Sequence, residues 1–185
     1  MANPPIGNNV WEGVLGVVTV TFNDIDMGKT NDQTSIQKVE DVQDIFFQQD
    51  GTQPSDKIPT GQAYEVSCTF AQLTTTRLEQ LMRGFDKSDD ANSNSVKLGR
   101  DIYRSGKDNF SKKLILKRVD SDGNASSDQN FWITYYLAMP TNFGEINWGA
   151  DVQRNLSVTF YCFYSDAKGA FGYSGIASSV GLTPA

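Results

Sequence analysis

The sequence predicts a mainly β protein: a sandwich or barrel of two packed antiparallel sheets with one short flanking helix and long loops. Three observations carry that expectation. In "QAYEVSCTFAQ" (62–72) Tyr64, Val66, Cys68 and Phe70 alternate with Glu65, Ser67 and Thr69. In "DVQRNLSVTFYCFY" (151–164) Val152, Leu156, Val158, Phe160, Cys162 and Tyr164 do the same, interrupted at Arg154, with Asn155, Ser157 and Thr159 on the other face. A period of two sustained this long marks strands with one buried and one polar face. The third observation is that helical periodicity stands out in one short segment only.

Taken in chain order, "VLGVVTVTF" (14–22) is a first strand, rich in β-branched residues that suit a pleated surface. "NDIDMGKTND" (23–32) follows as a turn, and "NDQTSIQKVE" after it is polar and strand-like. The segment 46–62, "FFQQDGTQPSDKIPTGQ", with Asp50-Gly51, Pro54, Pro59 and Gly61, reads as an extended hairpin loop. "TTTRLEQLMRGF" (74–85) predicts a helix of about two turns. Thr76 and Glu79 offer a capping box, Leu78, Leu81 and Met82 an apolar stripe, and Gly84 a stop. A polar, then basic loop is expected over about 86–111. "KKLILKRV" (112–119) and "FWITYYLAM" (131–139) are strands, with a hairpin tip around Asp122-Gly123. The Gly/Ser-rich 167–185 is expected to be a flexible tail. With 185 residues the chain is expected to form a single domain, 1–185, large enough for a real core.

Composition narrows the chemistry. There is no histidine, which removes the commonest general base, the commonest zinc ligand and the serine-triad imidazole together. Cys68 and Cys162 sit inside alternating apolar patterns, which favours two buried reduced thiols over a disulfide. "MANPPIGNN" has no basic and apolar signal segment, and Val14 to Val20 is too short to span a bilayer, so no membrane anchor is expected.

Several motifs invite a catalytic or ligand reading and fail it. Gly28-Lys29-Thr30 matches the end of a P-loop, but Asn23 stands where the first glycine belongs and no helix pattern follows. "DSDGN" (120–124) has its glycine at the fourth position of a calcium loop rather than the sixth, and residue 131 is Phe. The Asp89-Asp90 and Glu40-Asp41 pairs lie in polar runs with no apolar pocket to raise a pKa. Tyr103, Arg104, Lys107 and Phe110 interleave aromatic and basic groups, and docking of the loop on the core explains them better than base stacking. No catalytic, cofactor or metal site is expected, and the chain is not expected to be an enzyme.

Charge is laid out unevenly. The net charge is −6, yet 97–118 holds eight of the sixteen basic residues against only Asp101 and Asp108. Such asymmetry suggests an interaction face. A DNA-binding patch is one reading of it, and contact with the acidic surface of another copy is the other.

Four segments in this order resemble the tail tube (major tail) proteins of tailed bacteriophages. They are the strand leading to "VTFNDIDMGKT", the loop "QDGTQPSDKIPTGQ", "YEVSCTFAQLTTTRLEQLMRG" and "INWGADVQRNLSVTFYCFY". The resemblance spans roughly 11–165 and rests on the order of elements. It implies a virion protein, assembled in the host cytoplasm, that forms homo-hexameric rings stacked into a hollow tube. Tape measure, baseplate, terminator and sheath proteins would be its partners, and DNA would pass through the lumen without specific binding. Inter-subunit contacts are then expected at Lys29, Asp50, Lys57, Lys97, Arg100, Arg104 and Lys107, and a lumen lining at Asn155, Ser157 and Thr159. The alternatives are a tail terminator, distal tail or decoration protein, or the inner tube of a contractile injection system. A ligand-binding barrel is a third class, distinguished by a monomer with a polar pocket.

Overall fold

The computed structural model describes residues 18–31, 33–46, 56–71, 74–82, 85–87, 96–98, 110–119, 123–144 and 155–176. Among the described residues ten strands and one α-helix are formed: β1 (Val18–Phe22), β2 (Ile25–Lys29), β3 (Ser35–Ile45), β4 (Asp56–Phe70), α1 (Thr75–Leu81), β5 (Phe85–Lys87), β6 (Val96–Leu98), β7 (Lys112–Arg118), β8 (Ile133–Phe143), β9 (Leu156–Phe163) and β10 (Gly172–Ser174). Eight strands make one continuous sheet in the order β2-β1-β7-β8-β9-β4-β3, with β10 paired to β8, and β5 and β6 form a separate two-stranded ribbon. All the pairings are antiparallel.

This corrects the expectation of two packed sheets. From β2 to β3 each strand is bonded to the next, so no break divides the strands into separate layers. A single open sheet can still bury one face if it curls. Three ladder steps separate β1 from β9, which in a flat sheet would hold their side chains about 14 Å apart. Phe22 of β1 and Phe160 of β9 nevertheless meet with ring centroids 5.2 Å apart. Just past β2, Thr30 forms an isolated bridge with Phe70 at the end of β4, and the Asn31 N–H donates to the Thr69 carbonyl at 2.9 Å. The sheet thus coils until one corner touches itself without closing into a barrel ladder.

The concave side is the core. Val20, Phe22, Val66, Leu114, Leu156, Val158 and Phe160 line it, each almost completely buried. Each large side chain there contributes about 1.5–3 kcal/mol of transfer free energy. Cys68 and Cys162 are buried free thiols at alternating core positions, in agreement with the sequence reading. Burial pushes both thiols up, Cys68 to about 12.

Helix α1 follows β4 and seals one end of the curl with fully buried Leu81. Its cap is Thr74 rather than Thr76: the Thr74 hydroxyl accepts from the Arg77 N–H at 3.3 Å. Three threonines in a row make that choice invisible to a motif, and the residue that places Leu81 inward wins. The Arg77 Nε donates to the Asp26 carbonyl at 3.0 Å, and Asn23 donates to Gln80 at 2.8 Å, which ties α1 to the β1–β2 turn.

Three loop expectations also change. Residues 56–62 belong to strand β4, while 47–55 lie outside the described residues. Within 86–111 the β5–β6 ribbon is formed. Residues 167–176, expected to be flexible, make a turn and β10. Here β10 resumes the line of β9: Phe163 pairs with Leu137, and after the excursion 164–171 Gly172 pairs with Tyr135. A side chain at Gly172 would collide with the Thr134 carbonyl, so this return requires glycine.

Candidate assembly surfaces

The "NDIDMGKT" stretch is a β-hairpin. Asn23 and Asp24 have φ of 51° and 60°, the two positive values of a type I′ turn. Gly28, at φ 85°, sits where the register slips between Thr19–Lys29 and Thr21–Asp26, and its N–H is held by the Asp26 carboxylate at 2.8 Å. Gly28-Lys29-Thr30 is therefore a bulged strand end, with no helix N-terminus to bind a phosphate.

Of the residues expected to line a lumen, Ser157 and Thr159 face outward from β9 and meet hydroxyls of β4 in register. Ser67 pairs with Thr159 and Thr69 with Ser157, both at 3.0 Å. Asn155 accepts from the Asn31 amide at 3.3 Å, and the Thr141 hydroxyl donates to the Thr159 carbonyl at 3.0 Å. Around these pairs lies a shallow depression of about 340 Å³, lined also by Gln33, Asn142 and Gly144. Among the described residues that line it, the buried Cys68 thiol is the one ionisable side chain. The described part of this surface hydrogen-bonds water freely and offers no cationic side chain to detain a phosphate. Ser67 and Thr69 were visible as the polar face of an alternating strand. Their pairing was not, because register between β4 and β9 is a tertiary fact.

The second surface is an arm. Strand β4 pairs with β9 only over Tyr64–Phe70, whereas its ladder with β3 continues to Ile45–Asp56. Residues 56–60 are all exposed, and Val42, Phe46 and Ile58 stand 51%, 56% and 48% exposed. By alternation Val42 lies opposite Pro59 on one face, followed by Asp44 and Lys57, which form an ion pair at 3.4 Å. The other face carries Ile45 and Ile58 between Asp41 and Asp56. At the base Glu40 accepts from both Lys38 and Gln62 at 2.7 Å, and these bonds hold its carboxyl below the usual range.

The contact candidates fall in different places. Lys57 lies on the arm. Lys29 ends β2, opposite Thr19, and Lys97 lies in β6 opposite Asp86. Asp50, Arg100, Arg104 and Lys107 lie outside the described residues. Three of the four basic residues of β7 are engaged locally. Lys113 pairs with Asp24 at 3.6 Å, Lys117 lies over the Trp132 ring at 4.6 Å and Arg118 over Phe131 at 5.2 Å. Among the described residues no group of three or more His, Cys, Asp or Glu is arranged to hold a metal, and no helix is long and apolar enough to cross a membrane.

No protein-family model matches the sequence, and no curated protein does. Among solved structures, the chain has a remote likeness to proteins of extracellular contractile injection systems. One is in the PVC sheath-tube complex in its extended state, at 12% identity and TM-score 0.42, covering 78% of this chain and 82% of that one. A second is in the PVC sheath/tube terminator, at 14% identity and TM-score 0.41, covering 78% and 87%. A third is in the tube-terminating cap of the anti-feeding prophage, at 12% and 0.41, covering 78% and 82%. At such scores the likeness is one of outline, and function has to be argued from this chain's own surfaces.

Proposed function

We propose that the chain is a non-enzymatic structural subunit that self-assembles into stacked hexameric rings, forming the hollow tube of a phage-like tail. The arm is the observation that carries this reading. A two-stranded ribbon is marginal alone in water, and this one presents Val42, Phe46 and Ile58 to solvent with no third strand of the described residues beside it. Apolar groups on an otherwise polar extension suit a neighbouring copy. A contact between an arm and a different surface of the next copy is heterologous, and such contacts close into rings or propagate as filaments. Lys57 and, with the basic 97–107 residues, Lys97 would serve such contacts.

The hydroxyl face suits the lumen. Asn155, Ser157 and Thr159 with their β4 partners offer a neutral, hydrated lining along which a polyanion such as DNA slides. The rings would meet tape measure, baseplate, terminator and sheath proteins at their ends and outer side.

Negative-stain electron microscopy of the purified protein over a range of concentration and salt tests the proposal. Hollow filaments of six-fold rings are expected. Discrete rings that never stack would transfer the reading to a terminator or baseplate part. Monomers under all conditions would overturn it.

A further inference from the structure

At the other end of β4's buried half from α1 the curl opens into a cleft of about 630 Å³, a volume typical of binding sites. Its walls are Lys38 and Gln62 at the mouth, and Tyr64, Tyr135, Tyr164 and Phe171 within. The rings form one chain of contacts: Tyr64–Tyr135 at 5.9 Å, Tyr64–Phe171 at 5.3 Å and Tyr164–Phe171 at 5.4 Å. Tyr135 is 6% exposed, and no described residue hydrogen-bonds its hydroxyl or that of Tyr64.

One wall is also a strand edge that no described strand pairs with. The Phe171 carbonyl accepts from the Tyr136 N–H at 3.0 Å, and the Gly175 N–H donates to the Trp132 carbonyl at 2.9 Å. In an antiparallel ladder alternate residues face the partner. Gly172 and Ser174 therefore turn their backbone groups away from β8, on the side of the cleft. An unpaired edge beside an aromatic hollow is the arrangement that takes an added strand, whose backbone bonds the edge while alternate side chains enter the hollow.

We propose that the cleft receives the arm of a second copy: the β3 edge of that arm adds to β10 and lays Val42 and Phe46 against the tyrosine rings. The inference rests on the self-assembly reading and names its acceptor. The face bearing Val42 and Pro59 suits an aromatic hollow because its charges pair off, Asp44 with Lys57 and, at the base, Glu40 with Lys38. The arm of the same copy cannot fill the site. It leaves the cleft at Lys38–Tyr64 and runs as an unbroken two-stranded ladder, with one bulge, to Ile45–Asp56, about 23 Å away at the rise of a strand. Donor and acceptor are different surfaces of one chain, so each added copy offers a new arm or a new cleft.

Cross-linking tests this directly. Chains carrying Val42→Cys and chains carrying Tyr164→Cys are mixed, treated with a short bismaleimide and run on a denaturing gel, with the same mixture imaged by electron microscopy. The native Cys68 and Cys162 are buried and do not compete while the fold is intact, which circular dichroism of each variant checks. A dimer band in the mixture, absent from either variant alone, with a 42–164 link by mass spectrometry, is the expected result. Assemblies in the micrographs without that link would overturn the arm-in-cleft contact and leave the self-assembly reading standing. A mixture that stays monomeric and unlinked would overturn both.

Discussion

The two halves of β4 share one strand and one hairpin partner, yet differ in everything that side chains determine. Over Tyr64–Phe70 the strand has neighbours on both edges and sends Val66, Cys68 and Phe70, 0–2% exposed, into the core. Over Asp56–Thr60 it has β3 alone, and every residue is exposed. The ladder hydrogen bonds continue through both halves, so they do not explain the difference. Burial does, since a net hydrogen bond is worth only about 1 kcal/mol against the cost of ordering each residue, about 1–2 kcal/mol. The inner half is held by burial in its own core, and the outer half is held by its ladder with β3 without such burial.

The strongest way to break the inner half is Phe160→Ala. Phe160 is fully buried and touches both Phe22, at 5.2 Å, and Phe70, at 6.5 Å, so it bonds the two sides of the curl across the core. Its truncation is expected to cost about 3–5 kcal/mol, read as a fall in the urea midpoint with unchanged slope. A loss below about 1 kcal/mol would mean that the curl does not depend on that contact. A smaller effect is expected at the sealed end. Thr74→Ala removes the hydroxyl that caps α1 and should cost about 1 kcal/mol by the same measurement, whereas Thr76→Ala should cost less. Equal losses would restore Thr76 as the cap.

How much of this was legible follows from range. Alternation over 62–72 and 151–164 marks β4 and β9 and their buried faces, because a period of two is a local consequence of the pleat. The free thiols at Cys68 and Cys162 and the failure of Gly28-Lys29-Thr30 as a P-loop follow from the same local pattern. The single sheet does not, since the number of layers depends on which strands pair and on how sharply the sheet coils. The arm was hidden for a different reason. Pro59, Gly61 and Asp56 are turn residues by composition, and "DKIPTG" reads as loop until it is seen paired with β3, with a bulge between Asp41 and Val42 absorbing the mismatch. For the hydroxyl face, Ser157 and Thr159 were readable and Ser67 and Thr69 became their partners only through register.

The outer half is best probed by a change with little expected effect on the isolated chain. Val42→Ser together with Ile58→Ser removes two of the exposed apolar side chains of the arm, one from each face, while leaving the Asp44–Lys57 ion pair and the core untouched. Neither residue is buried, so the stability read from the urea midpoint should change by no more than about 0.5 kcal/mol, far less than at Phe160. Assembly should respond in the opposite proportion, with filaments lost or shifted to higher protein concentration, as followed by light scattering and micrographs. In a tube each apolar contact between copies would be repeated at every subunit, so a modest loss per contact would be multiplied along its length. Filaments that form as readily from the double variant would show that the outer half of β4 is not the joint. A large loss of monomer stability would show instead that the arm is held by its own chain after all.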